Sequence, residues 1–115
     1  MLLCLIQRYE THCLARIFSE ILDTSNWGDC VGIYAPGQNI WSAWVGADDS
    51  KARVTGTSSA SPFVAGAVAL YLERDESMTP AKIRQSLQND ASQQVVDGNG
   101  GTTEILSLNV KPLLS

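Results

Sequence analysis

The sequence predicts an α/β chain in which short strands lead into two helices and a closing strand. Four stretches carry that expectation. Residues 63–72 are ten consecutive positions without a charged or amide side chain. Their length and their Ala and Leu content predict a helix buried on all sides. Ahead of them, residues 31–35 and 39–44 are short apolar runs, the first closed by Pro36-Gly37, and read as strands. Behind them, Thr79-Pro80 sets a capping hydroxyl before a proline at the first helical position.

Taken in order, the chain opens with Leu14, Ile17, Phe18, Ile21 and Leu22 at helical spacing, with Arg16, Ser19 and Glu20 between them. This predicts an amphipathic helix from about residue 10 to residue 22. Turn formers at 23–28 end it. After the two strands comes a polar loop, residues 46–51, and then a brief strand over 52–55. Gly56-Thr57-Ser58-Ser59-Ala60-Ser61-Pro62 is small and hydroxylic and enters the long apolar stretch directly. Thr57 or Ser58 is expected to cap the helix by accepting from free amides of the first turn, and Pro62 to fall within about that turn, where a missing N–H costs least. The serine then lies at the positive end of a packed helix, where unbonded amides can face a developing negative charge. In the helix begun by Thr79, Ile83 and Leu87 form the buried stripe. Residues 97–101 read as a loop and 102–108 as the last strand.

Composition narrows the function. The chain has 115 residues, 44% of them hydrophobic and only 17% charged, with a net charge of −4 and pI near 4.7. That is one small domain or part of a larger one, and its acidity argues against a nucleic-acid surface. No apolar stretch has the length of a membrane span. Residues 1–6 are apolar but lack a basic lead, so no signal peptide is read there. Cys4, Cys13 and Cys30 cannot all pair with one another, show no Cys-x-x-Cys spacing and leave the redox compartment open. The single His12 is too few for a zinc site. Asp48 and Asp49 lack the spaced oxygen ligands of a calcium cage. No metal and no cofactor is expected.

Ser58 is the candidate nucleophile. Its surroundings do not fit a nucleophile elbow, because Ala60 stands where Gly-x-Ser-x-Gly needs its last glycine. A Ser-x-x-Lys dyad fails because Ser61 stands three residues on. Gly-Thr-Ser-x-Ala-Ser-Pro-x-Val-Ala-Gly, residues 56–66, instead resembles the nucleophile motif of the subtilisin-like serine proteases, with Phe63 at a position where that family often has His. Ser25-Asn26-Trp27-Gly28, then Val31-Gly32-Ile33-Tyr34-Ala35-Pro36-Gly37, resembles the segment that precedes this motif in the family, with Gly32 where an acidic residue is common. The 39–44 strand, the Thr79-Pro80-Ala81 helix start and the Gly101-Thr102-x-x-Ile105-Leu106 tail are similar to proteinase K-like members.

This resemblance covers about residues 25–108 and implies the C-terminal portion of a doubly wound sandwich with a mostly parallel sheet. It divides the chain into residues 1–24, outside the family and bearing the amphipathic helix, and residues 25–115, a partial catalytic domain. An N-terminal helix foreign to the fold is expected to be loosely attached. The resemblance implies peptide-bond hydrolysis through Ser58, a protein or peptide substrate, an extracellular location, and no nucleic-acid or membrane partner. The family's triad aspartate, histidine and oxyanion asparagine precede the nucleophile. Asp23-Thr24 is followed by Ser25 rather than Gly, no His-Gly-Thr occurs, and His12 lies on an unrelated motif. The chain alone is therefore expected to be inactive. The alternative reading is a non-catalytic remnant or interaction module derived from such a protease.

Overall fold

The computed structural model describes residues 15–17, 20–21, 31–98 and 101–114. Its elements are β1 (Ala15–Ile17), β2 (Glu20–Ile21), β3 (Ala35–Pro36), β4 (Ile40–Ala43), β5 (Lys51–Val54), α1 (Thr57–Arg74), α2 (Pro80–Asn89), β6 (Ser92–Gly98) and β7 (Gly101–Ser107), followed by a 3₁₀ turn at Lys111–Leu113. β4 and β5 form a separate antiparallel hairpin, and the other five strands make one sheet in the order β3-β1-β2-β6-β7. That sheet is mixed: β1 runs parallel to β3 and β2 to β6, while β1–β2 and β6–β7 are antiparallel. The amide of Tyr34 donates to the Leu106 carbonyl at 2.8 Å, and the Leu108 amide donates back to the Tyr34 carbonyl at 2.7 Å. The chain entering β3 is thereby tied to the far end of the strand order.

Extended backbone turns successive side chains to opposite faces, so one short segment serves two cores. Ile33 and Ala35 join the larger core, with Ala60, Val64, Ala67, Tyr71, Ile83, Leu87 and Leu113. Tyr34, between them, joins Val96 and Ile105 in the smaller core, with Val31 packed against it. Arg74, in the last turn of α1, donates to the Pro112 and Leu113 carbonyls at 3.0 and 2.7 Å and fastens the C-terminal turn to the helix end. Tyr71 Oη donates to Asp90 Oδ2 at 2.5 Å, joining α1 to the end of α2. Thr79 caps α2 as expected, its hydroxyl accepting from the Lys82 amide at 3.3 Å with Pro80 in the first helical position.

Three expectations are corrected. The described residues of the 10–22 segment form strands rather than an amphipathic helix, and those strands lie inside the sheet order. The apolar spacing fits a helix, but β3 and β6 offer this segment backbone partners, and such tertiary pairing outweighs the small differences in helix propensity. Those two strands are thus integral to the sheet rather than loosely attached. Second, α1 is not buried on all sides. Ala60, Val64, Ala67 and Tyr71 form one buried stripe, whereas Ala65, Gly66 and Ala69 are exposed and Phe63 is 42% exposed. Among the described residues, α1 packs mainly against β1, β3 and α2. Third, the expected loop over 97–101 is shorter: Asp97 and Gly98 close β6, which begins at Ser92 in a stretch given no element from sequence, and Gly101 opens β7.

Candidate active site

Gly56 sets the geometry from which the site follows. Its φ of 156° lies in a region that residues with a side chain rarely adopt, and a Cβ there would sit 3.5 Å from Ser58 Oγ. The Gly56 amide donates to the Gly37 carbonyl at 2.7 Å, anchoring this corner to the turn that follows β3. Helix α1 then begins at Thr57. Gly56 is its N-cap and no side chain caps it, so neither Thr57 nor Ser58 plays the expected capping role. The unusual Gly56 backbone makes the turn, and the hydroxyls of both residues are left for other partners. The Ser59 amide donates to the Gly56 carbonyl at 3.1 Å. The Ser58 amide has no acceptor among the described residues.

Ser58 is the second residue of α1 and is exposed, while Ser59 and Ser61 are half-buried. Pro62 falls in the second turn, because the helix starts earlier than the apolar run. Having no N–H, it cannot donate to the carbonyl four residues back, which is that of Ser58. Both backbone groups of Ser58 therefore lack the usual helical partner.

Ser58 opens onto a groove of about 540 Å³ lined also by Ile40, Trp41, Ser42, Val54, Ser59, Pro62 and Phe63. The hairpin β4–β5 forms one wall and the first turns of α1 the other. Trp41 lies opposite Arg53 in the hairpin register, and the Arg53 guanidinium sits 4.8 Å from the Trp41 ring centroid. Among the described residues the lining contains no carboxylate, lysine or histidine. Acylation at Ser58 therefore needs a base other than these described lining residues. His12, Asp23 and the three cysteines lie outside the described residues. Among the described residues no group of His, Cys, Asp or Glu could hold a metal ion, and no helix is long and apolar enough to cross a membrane.

The described residues are a mixed α/β chain that presents an exposed serine in the first turn of α1, behind a corner that favours glycine. The sequence profile of the subtilase family matches residues 14–106, and the chain belongs to that family. The match begins inside the segment that the sequence motifs had set apart at residues 1–24. Alkaline serine exoprotease A of Vibrio alginolyticus is 41% identical over 83 residues, covering 71% of this chain and 15% of that protein. Subtilisin-like protease 3 of Pseudogymnoascus destructans is 42% identical over 74 residues, 63% of this chain and 18% of that protein. A solved cold-adapted subtilisin-like serine proteinase superposes with a TM-score of 0.65 at 39% identity, over 79% of this chain and 33% of that one. The chain thus spans less than a fifth of the length of these two relatives.

The groove wall was missed from sequence, although Trp41 and Arg53 become cross-strand neighbours once residues 40–43 and 51–54 are paired as a hairpin. The Tyr71–Asp90 bond had no sequence signal, since the two residues stand 19 positions apart on different elements.

Proposed function

We propose that this chain is the nucleophile-bearing, C-terminal part of a subtilisin-like serine endopeptidase that acts on protein or peptide substrates outside the cell. The observation that carries this reading is Ser58 itself: exposed, in the first turn of α1, with an unbonded amide and an open groove beside it. Its hydroxyl would attack the scissile carbonyl, and its own N–H would be one donor to the resulting oxyanion. Residues 25–115 would form the matching portion of a doubly wound catalytic domain. The base and the second oxyanion donor belong to segments that this groove lacks. A serine without its triad partners retains only the small rate that binding and the oxyanion site supply. Losing an oxyanion donor costs a further factor of about a hundred or more. The chain alone is accordingly an ineffective peptidase.

The test is reconstitution. The part of the cold-adapted subtilisin-like serine proteinase not matched by this chain is fused ahead of residues 14–115, which keep β1 and β2. A fluorogenic peptide should be cleaved by the fusion, not by the Ser58→Ala fusion and not by the chain alone. A folded fusion without Ser58-dependent turnover overturns the reading. The exposed Trp41, Trp44, Val45 and Phe63 favour a second reading, a non-catalytic module that associates through its apolar surface. That reading predicts self-association or partner capture without any gain of turnover on fusion.

A further inference from the structure

We propose that Arg84 and Gln88, facing the bare Cα of Gly32, form a binding site for a small carboxylate anion such as formate or acetate. The two side chains belong to α2, share no residue with the groove beside Ser58, and act independently of the peptidase reading. Three donor atoms converge there on one point. A Cβ built on Gly32 would have Gln88 Nε2 at 3.7 Å, Arg84 Nη2 at 3.8 Å and Arg84 Nε at 4.0 Å. Nε and Nη2 carry hydrogens on the same edge of the guanidinium, the fork that takes the two oxygens of a carboxylate side by side. Gln88 donates one amide hydrogen to the Gly32 carbonyl at 3.1 Å, which fixes its side chain and leaves the second hydrogen for a ligand. Gly32 itself puts no side chain in front of these donors.

The Arg84 charge has no other use among the described residues. Arg53 lies over Trp41 at 4.8 Å, and Arg74 donates to the carbonyls of Pro112 and Leu113. Arg84, although half-buried, makes no hydrogen bond, ion pair or ring contact with any described residue. A half-buried guanidinium has given up part of its water, so its donors gain from an anion that comes to them. Gly32 and Gln88 are half-buried as well, and the donors stand at ordinary contact distance from the built Cβ, so the opening suits a short ligand rather than a bulky one. A planar carboxylate matches the fork in shape, and a spherical chloride does not. The bound anion would bridge α2 to the segment that enters β3, and occupancy would stabilise the fold.

The experiment is NMR titration of the full chain, labelled with [15N]arginine, with sodium acetate at constant ionic strength. A slightly acidic pH keeps acetate ionised while guanidinium hydrogens exchange slowly, and Arg84→Lys assigns the Arg84 signal. Acetate and formate should move the Arg84 Nε signal saturably, while the Arg53 and Arg74 signals stay in place and chloride moves none of them. Acetate at about ten times its dissociation constant should favour the folded state about elevenfold, raising the melting temperature relative to chloride by about 5–10 °C. Arg84→Met should abolish that rise. Arg84→Lys, which loses the fork, should need at least about tenfold more acetate for the same rise, the equivalent of one charged hydrogen bond. Gly32→Asp, which tethers a carboxylate in the same place, should raise the melting temperature and remove the response to acetate. Equal effects of acetate and chloride, equal shifts at Arg53 and Arg84, or an acetate response that survives Arg84→Met or Gly32→Asp overturns the proposal, as does the absence of any saturable shift.

Discussion

Gly32 lies beside α2 at a place where the structure has room for a side chain. A Cβ built on Gly32 lies 3.8 Å from Arg84 Nη2 and 3.7 Å from Gln88 Nε2, which is ordinary contact rather than a clash. Gly32 is not among the glycines with positive φ, so a side chain introduces no backbone strain. Among the described residues Arg84 has no carboxylate partner, whereas Gln88 already donates to the Gly32 carbonyl at 3.1 Å. Gly32→Asp therefore adds a half-buried ion pair at the joint between the strand and α2. Such a pair contributes about 0.2–1 kcal/mol. Replacing glycine at a compatible position contributes about 0.4–1 kcal/mol more by restricting the unfolded chain. The sum is about 1 kcal/mol, or a rise in melting temperature of about 4–8 °C for a domain of this size. Thermal denaturation should show that rise, with Gly32→Ala giving only the backbone part. The difference between the two should shrink in 1 M NaCl, where the Debye length falls to about 3 Å. It should vanish in an Arg84→Met background. An aspartate variant no more stable than the alanine variant at low salt would refute the pairing.

Three further outcomes follow from the packing. Gly56→Ala should destabilise the chain by about 1–3 kcal/mol in urea denaturation, because alanine must adopt the φ of 156° behind Ser58. Tyr71→Phe should cost about 2 kcal/mol through the lost bond to the Asp90 carboxylate. It should also flatten the alkaline limb of the stability profile. Burial, then the hydrogen bond to Asp90, hold the Tyr71 phenol protonated well above its ordinary value of 10.0. The unfolded chain therefore releases this proton first, and the stability it confers is intact below about pH 10 and declines above it. Deleting residues 1–22 removes β1 and β2 from within the sheet order and should lower the melting temperature by more than 10 °C, estimated from about 2 kcal/mol of lost pairing and packing.

The local signals that worked were those with a backbone cause. Thr79-Pro80 marks the start of α2 because a cap and a fixed φ act on one turn. Pro36-Gly37 marks the end of β3 only approximately: the strand is Ala35–Pro36, residues 31–33 of the expected strand lie outside it, and Lys51 of the expected 46–51 loop begins β5. Gly56 and Ser58 were legible as a motif, but not as a corner with φ of 156° that makes a side-chain cap unnecessary. Strand β6 was missed because Gln93 and Gln94 dilute its apolar pattern. The Asn99-Gly100 pair after it, a strong two-residue hairpin signal between β6 and β7, could have found it. The 10–22 segment could not be read locally: Ile17 and Ile21 suit a helix stripe and a strand equally, and only long-range pairing decides. Burial of α1 was overestimated because hydrophobicity reports what a helix can bury, not which partners are present to cover it.

The central claim is that Ser58, and no neighbouring hydroxyl, is the nucleophile of a site completed by other segments. The most direct measurement is reaction of the fusion protein with a fluorophosphonate, followed by mass-spectrometric location of the adduct. The account predicts the adduct on Ser58 alone, absent from Ser59 and Ser61, and absent from the unfused chain. Modification of Ser59 or Ser61 instead, or of Ser58 in the unfused chain, would contradict it.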